Sequence, residues 1–313
     1  LALDLLGVAS QLVFNTFNNG NLLRLERSGD LDLAYGAARA HNRGMVEFCS
    51  VDSRLLPTCY VPLADFGRSA DMAGEAIAMG AAALLVPSGC PNAHSPSHLG
   101  RDPVWRQAEE AAIPVVLHVG GGGQLLHPSY FENGGAYVPD FHGGDENFRS
   151  VDYMAIPGPP AQTLATMIFD GVLERHPALK IGVIEQGAIW VPSWMRQMES
   201  AFDAFDRHEG RLRALSLRPS EYVRRQVRFT PVSAREIPWY SEELVVRTHE
   251  GLSAGATHPL LVIAAFALAI SAGPLGAVNL SVRSQTARLD QLLDDAGLEH
   301  PHVETPVASA ELD

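Results

Sequence analysis

Short apolar runs alternate with amphipathic stretches along most of the chain. The apolar runs predict six β-strands, at 11–15, 57–63, 82–87, 114–119, 180–185 and 227–230. Apolar positions at helical spacing predict helices between them, at 32–51, 69–79, 103–112, 162–175 and 191–205. Repeated strand–helix units favour parallel strands with right-handed crossovers. About six such units favour an α/β fold of the (β/α)8 TIM-type barrel over a doubly wound sheet.

Two segments depart from this alternation. Residues 120–160 have neither helical nor strand periodicity, but their aromatic residues argue against disorder, so we expect a loop that covers a site or contacts another subunit. Residues 251–282 carry no formal charge, and their apolar core is shorter than the about 20 residues that span a bilayer. A buried helix is the favoured interpretation, with a membrane span over 251–280 as the alternative. We therefore predict a barrel at 1–231 and a divergent C-terminal segment at 232–313, which holds this apolar helix and an amphipathic tail helix.

The composition excludes several classes of function. A formal net charge of −13 argues against a general nucleic-acid or anionic-membrane surface. The three cysteines, Cys49, Cys59 and Cys90, lack the spacing of a metal site or a disulfide framework, which is typical of a cytoplasmic protein. The chain starts at Leu1 without a basic leader, and we expect that a first barrel strand is absent from it.

The segment PVVLHVGGGG, at 114–123, carries the most informative chemistry. His118 ends an apolar run that predicts a strand covered on both faces, and the carboxyl ends of such strands form the active sites of α/β folds. The glycines that follow leave room for a ligand beside the imidazole. Histidine is the commonest metal ligand, so His118 is a candidate metal ligand or catalytic residue. A core histidine bonded to a carbonyl is the alternative.

A second strand, KIGVIE at 180–185, ends in a carboxylate. Glu185 is partly desolvated there unless a cation or hydrogen-bond donors approach it. If the two strands are neighbours, Glu185 and His118 share one rim. Such a pair suits a divalent metal ion, or a general base with an orienting imidazole. The alternative is a glutamate that accepts hydrogen bonds from the N–H groups at a helix start.

Further polar residues lie in the loops that follow the predicted strands. Candidate contacts to a substrate are His94, His98, His127, His142 and Arg149, each with a solvated loop residue as the alternative. The spacing of His94 and His98 resembles a metal-binding helix face, but the Ser-Pro-Ser sequence between them argues against a helix. Neither a G-x-G-x-x-G dinucleotide motif nor a G-x-S-x-G serine elbow occurs.

Three segments together resemble a known family: IPVVLHVGGGG, DGVLERHPALKIGVIEQGAIWVPSWMRQM and VRRQVRFTP. They are similar to the amidohydrolase-related metal-dependent hydrolases, whose relatives include aminocarboxymuconate-semialdehyde and resorcylate-type decarboxylases. The resemblance covers about 1–231 and implies a (β/α)8 barrel with one divalent metal ion, zinc or manganese, at its carboxyl face. It also implies that His118 is a metal ligand and that Glu185 takes the catalytic position that a histidine occupies in other branches.

Departures from the family pattern predict an incomplete barrel. Two metal ligands of the family's first strand have no counterpart in this chain, and no S-D-x-P-H stretch follows VRFTP. We therefore expect weak metal affinity, since a catalytic zinc site uses three protein ligands. The predicted function is hydrolysis of C–N or C–O bonds in a small organic acid, by a protein that forms homo-oligomers. Non-oxidative decarboxylation of an aromatic or unsaturated carboxylic acid and a non-catalytic barrel remnant or interaction subunit are the alternatives.

Overall fold

Six parallel strands form one sheet in the computed structural model, which describes residues 2–5, 8–15, 18–136 and 149–230. The strands are β1 (Gln11–Val13), β2 (Leu55–Tyr60), β3 (Ala83–Val86), β4 (Val115–His118), β5 (Ile181–Ile184) and β6 (Val227–Phe229). Each strand pairs with the next one along the chain. The sheet is a half-barrel, which confirms the predicted α/β architecture and agrees with an incomplete barrel.

Helices connect consecutive strands. Those in the described residues are α1 (Ala2–Leu5), α2 (Asn19–Arg27), α3 (Leu31–Cys49), α4 (Phe66–Ala78), α5 (Asp102–Glu110), α6 (Ser150–Ala155), α7 (Gly158–Phe169), α8 (Val172–Arg175), α9 (Val191–Phe205), α10 (Gly210–Arg213) and α11 (Pro219–Gln226). None of these helices is long and apolar enough to cross a lipid bilayer. The predicted segment at 232–313, with its apolar helix and the alternative membrane span, lies outside the described residues.

The centre of the sheet forms the core. Every residue of β3, β4 and β5 is buried, which explains why their sequences are apolar without alternation. The ring of Phe229, on β6, lies 5.5 Å from the ring of Trp190 and 6.4 Å from that of Trp194. These two tryptophans pack the start of α9 on the sheet.

The observed helices differ from the predicted ones mainly at their ends. Helices α3 and α4 begin earlier than predicted, because Asp30 and Asp65 cap them. Each carboxylate accepts a hydrogen bond at 2.9 Å from the backbone N–H three residues later. The helix predicted at 162–175 is two helices, α7 and α8. Gly171 separates them with a left-handed φ of 75°, which glycine adopts without steric cost.

Helix α2 is the most important element that the sequence pattern does not predict. Its start, the sequence NNGN at 18–21, is typical of turns, whereas Leu22 and Leu23 are buried in the core. The loop predicted at 120–160 also contains helical segments, a 3₁₀ turn at Pro128–Phe131 and α6. Within that loop, 137–148 lies outside the described residues.

His41 offers a test of the packing between α3 and Asn15, the second residue after β1. It lies on α3, where its Nε2 atom accepts a hydrogen bond from the Asn15 amide at 3.0 Å. Burial lowers the pKa of His41 from 6.5 to about 4. As the pH falls through this interval, the unfolded chain binds a proton that the folded chain resists. We expect the free energy of unfolding to fall by roughly 3 kcal/mol across the interval because of this group.

Urea unfolding of the wild type and of His41→Gln across this pH interval measures the effect. Glutamine cannot ionise, yet its side-chain amide still reaches Asn15, so the variant should lack this part of the pH dependence. Parallel pH profiles for the two proteins would contradict the assignment.

Candidate active site

The parallel register of β4 and β5 brings two predicted site residues to one edge of the sheet. His118 ends β4 and pairs with Ile184, the last residue of β5, so Glu185 follows directly beside it. The Nε2 atom of His118 lies 3.1 Å from the Oε2 atom of Glu185. The imidazole and the carboxylate are therefore neighbours at the carboxyl edge of the strands.

The two side chains differ in their surroundings. The His118 side chain is 1% exposed, and its ring lies against the ring of Phe14, with centroids 4.8 Å apart. The Glu185 side chain is 39% exposed. The pair thus combines an imidazole fixed in the core with a carboxylate that a ligand can reach from solvent.

The backbone at Glu185 is strained. Its φ of 57° is left-handed, a conformation that costs a residue with a Cβ atom about 1–2 kcal/mol. The N–H group of Glu185 donates to the Thr230 hydroxyl at 2.9 Å, which ties this conformation to the residue that follows β6. Strain of this kind concentrates at functional sites, where it fixes the direction of a side chain.

Hydrogen bonding on the far side of the imidazole fixes its tautomer. The Nδ1 atom of His118 lies 2.8 Å from the Val119 carbonyl, which can only accept, so Nδ1 carries the proton. The Nε2 atom then presents a lone pair to the Glu185 carboxylate, from which it is repelled unless a proton or a cation lies between them. Despite the short distance, Nε2 is buried without an aligned hydrogen bond to any described residue.

Asn19, the first residue of α2, lies on the Nδ1 side of the imidazole and shares the Val119 carbonyl with it. Its amide nitrogen donates to the Val119 carbonyl at 3.3 Å and lies 3.2 Å from the Nδ1 atom of His118. Asn19 is buried. Sequence reasoning misses this residue because it misses α2, and the available signal is an amide-rich run shortly after a predicted strand.

Unsatisfied polar atoms concentrate at the same edge. Within the described part of the chain, buried side-chain atoms without a hydrogen-bond partner include Asn15 Oδ1, Asn19 Oδ1, His118 Nε2 and both amide atoms of Gln186. Asn15 follows β1, and Gln186 follows Glu185 beyond the end of β5. Folded proteins keep few such atoms, and each calls for water, an ion or a ligand. These atoms therefore make the edge that carries the pair a candidate site for water, an ion or a polar ligand.

The donors present fit part of a metal coordination set. An imidazole nitrogen and a carboxylate oxygen are ligands that zinc and manganese accept. Among residues 2–5, 8–15, 18–136 and 149–230, no group of three or more histidine, cysteine, aspartate or glutamate side chains is placed to hold an ion. His118 and Glu185 would together supply at most two of the three protein ligands that a catalytic zinc site uses.

A buried acid, Glu26, connects α2 to the end of β2. Glu26 accepts hydrogen bonds at 2.7 Å from the Tyr60 hydroxyl, at the end of β2, and from the Leu63 N–H. Burial raises the pKa of Glu26, and burial also raises the pKa of Tyr60. These bonds join α2 to the end of β2 and so help to position Asn19. Sequence reasoning misses this cluster as well.

Comparison with known proteins decides the family. The amidohydrolase family model matches residues 26–248, well over half of the 313 residues. The chain belongs to the amidohydrolase family. No curated protein matches it in sequence.

Solved structures similar to this chain include an amidohydrolase and two decarboxylases. An amidohydrolase from Mycobacterium avium subsp. paratuberculosis K-10 has a TM-score of 0.61 and 24% identity, over 74% of this chain and 56% of its own length. The 5-carboxyvanillate decarboxylase of Novosphingobium aromaticivorans DSM 12444, solved with manganese and 4-hydroxy-3-methoxy-5-nitrobenzoic acid, has a TM-score of 0.59 and 16% identity, over 77% of this chain and 65% of its own. A 2,6-dihydroxybenzoate decarboxylase from Rhizobium has a TM-score of 0.55 and 16% identity, over 76% of this chain and 70% of its own. These likenesses show the fold, and the chain spans little more than half of the mycobacterial protein.

Two predicted substrate contacts form a ring stack in the loop after β3. The rings of His94 and His98 stack on Phe66, with centroids 4.9 and 4.5 Å from it. The segment between the two histidines is not helical, as predicted. No contact among the described residues joins this stack to His118 or Glu185, and its contact with substrate stays a prediction.

The other predicted contacts lie in the long loop. His127 is exposed, and its Nδ1 atom accepts from the Ser129 N–H at 3.3 Å, which caps the 3₁₀ turn. The guanidinium carbon of Arg149 lies 3.2 Å from the ring centroid of Phe131. His142 lies outside the described residues. A substrate-binding role for these three residues stays a prediction.

Glycine substitutions distinguish the cost of backbone strain at Glu185 from the contribution of its carboxylate to stability. Within the described stretches, Ala112 is the other non-glycine residue with positive φ, at 54°. Glycine relieves left-handed strain, so we expect Glu185→Gly and Ala112→Gly each to raise the free energy of unfolding by up to about 1 kcal/mol. Urea unfolding with an unchanged m value measures this. A loss of stability in Glu185→Gly alone would mean that the carboxylate is a structural partner of His118.

Proposed function

We propose that this chain forms part of the catalytic edge of a metal-dependent hydrolase, which cleaves a C–N or C–O bond in a small organic acid. Membership of the amidohydrolase family supports this proposal. The observation that carries it is the buried, unsatisfied Nε2 atom of His118, 3.1 Å from the Glu185 carboxylate. Such a gap between two lone-pair atoms serves a cation or a proton in transfer.

His118 would hold the divalent ion, zinc or manganese, through Nε2. The bound ion supplies charge that polarises a carbonyl group and lowers the pKa of water. The Nδ1–H bond to the Val119 carbonyl keeps Nε2 available and sets the direction of the ring. Phe14 packs against the imidazole, and Asn19 donates to the Val119 carbonyl that Nδ1 also contacts.

Glu185 would carry protons during hydrolysis. Its carboxylate is partly exposed, and Thr230 fixes its backbone, so it can meet a substrate while staying beside His118. The carboxylate takes a proton from the water that attacks the carbonyl carbon. It then returns the proton to the nitrogen or oxygen that leaves as the C–N or C–O bond breaks.

Non-oxidative decarboxylation of an aromatic or unsaturated acid is a second candidate. The fold likeness to a 5-carboxyvanillate decarboxylase solved with manganese favours it. In this reaction the bond to the carboxyl carbon breaks and CO₂ leaves, while protonated Glu185 delivers its proton to the carbon left behind. Because the same pair serves both reactions, a choice between them requires substrates of both kinds.

We also propose that the protein is cytoplasmic, that it binds small carboxylic acids and that it forms homo-oligomers. The net charge of −13 supports small ligands rather than nucleic acid. Cys49, Cys59 and Cys90 are free thiols, which supports a reducing compartment.

Metal uptake and two substrate panels test the site in the wild type, Glu185→Gln, His118→Gln and the exposed control His127→Gln. With excess Mn²⁺ or Zn²⁺, we expect Glu185→Gln to lower kcat about 10²–10⁴-fold, the usual contribution of acid–base catalysis. His118→Gln should lose both metal uptake and turnover, and His127→Gln should keep both. Equilibrium dialysis measures the metal, while cleavage of amides and esters of small acids and CO₂ release from hydroxybenzoates measure turnover.

Two results would reject the proposal. Unchanged turnover in His118→Gln would contradict the placement of the site. Metal uptake that depends on His118, without turnover on either panel, would identify a non-catalytic barrel remnant.

A further inference from the structure

Helix α2 lies along the glycine loop, residues 120–123, that leaves the strand of His118. A Cβ atom added at Gly120 would lie 3.5 Å from Asn19, at the start of the helix. A Cβ atom added at Gly123 would overlap the guanidinium of Arg27, at the end of the helix. Arg27 therefore lies directly on the loop that borders the proposed active site.

Arg27 has no anionic partner in the described part of the chain. Its Nε atom is buried and makes no hydrogen bond there. By contrast, the guanidinium groups of Arg39, Arg175 and Arg218 lie 2.6, 2.9 and 2.6 Å from carboxylate oxygens. Arg27 thus keeps a hydrogen-bonding capacity that these three arginines spend on carboxylates.

The adjacent acid does not neutralise Arg27 by contact. Both carboxylate oxygens of Glu26 are already engaged, one by the Tyr60 hydroxyl and one by the Leu63 N–H. Burial raises the pKa of Glu26 and the charge of Arg27 partly lowers it, yet no hydrogen bond or ion pair joins the two described side chains. A buried guanidinium nitrogen without an acceptor is costly, and a bound anion would offset that cost.

We propose that Arg27 binds a carboxylate group of the substrate, separate from the bond that breaks. The planar guanidinium presents paired N–H groups that match the two oxygens of a carboxylate. The inference rests on the proposed function, which places the reacting bond at His118 and Glu185. Binding of a carboxylate by Arg27 can nevertheless be measured without turnover. The substrate class is then a small acid whose ionised carboxylate is an anchor.

Helix geometry limits the size of such an acid. Asn19 contacts His118, and Arg27 lies about 12 Å further along the axis of α2 at the usual rise per residue. The guanidinium lies against Gly123, five residues after His118, so both groups border the same loop. One ring or a short chain between the anchoring carboxylate and the reacting bond spans this separation.

Benzoate, with benzamide as its neutral counterpart, tests Arg27 without turnover. Isothermal titration in the presence of a chelator excludes binding through a metal ion. We expect the wild type to bind benzoate about tenfold more tightly than benzamide, because hydrogen bonds to charged groups are the stronger ones. Arg27→Met and Arg27→Gln should both abolish this preference.

Arg24→Met is the matched control, because Arg24 lies on the same helix and is exposed. Loss of the preference in both Arg27 variants and its retention in Arg24→Met would support the inference. Equal benzoate affinity in the wild type and in a folded Arg27 variant would overturn it. Equal losses in the Arg24 and Arg27 variants would also overturn it, since they would show a general effect of charge.

Kinetics distinguish a failure of this inference from a failure of the proposed function. In an active protein, Arg27→Gln should raise KM for acids about tenfold with little change in kcat, and should leave KM for the matching neutral amides unchanged. Arg27-dependent benzoate binding without turnover on either panel would support the anchor and reject the catalytic proposal.

Discussion

The hydrogen-bonded pairing of β4 with β5 is the interaction on which the site depends. Because His118 pairs with Ile184, the carboxylate that follows β5 must begin beside the imidazole. Every residue in both strands is buried, so a slip in register would require the side chains on both faces of the sheet to be repacked. The 3.1 Å approach of the two polar groups is therefore imposed by sheet packing.

Several features at this edge cost stability. Glu185 adopts a left-handed backbone conformation, Arg27 has a buried nitrogen without an acceptor, and Gln186 leaves both amide atoms unsatisfied. Each feature costs on the order of 1–3 kcal/mol. Local rules of folding are broken mainly where a protein binds or reacts, so the concentration of these costs indicates an edge arranged for a ligand.

The strands and the central pair could be predicted from the sequence, because long apolar runs report buried parallel strands and polar residues stand out at their ends. Asn19 and Arg27 could not be predicted in the same way. Their roles arise from the packing of α2 against a loop about a hundred residues later, and no local pattern reports that contact. The left-handed conformation of Glu185 could not be predicted either, since positive φ is typical of glycine and asparagine and uncommon for glutamate.

The hydrogen bond between Glu185 and Thr230 joins residues 45 positions apart. Thr230 directly follows β6, and its own N–H donates to the Val183 carbonyl at 3.0 Å, so β6 must dock on β5 before this bond exists. Without β6, the N–H group of Glu185 would lack the hydroxyl group that holds its left-handed conformation. The direction of the Glu185 side chain therefore depends on docking of a strand that contributes no predicted site residue.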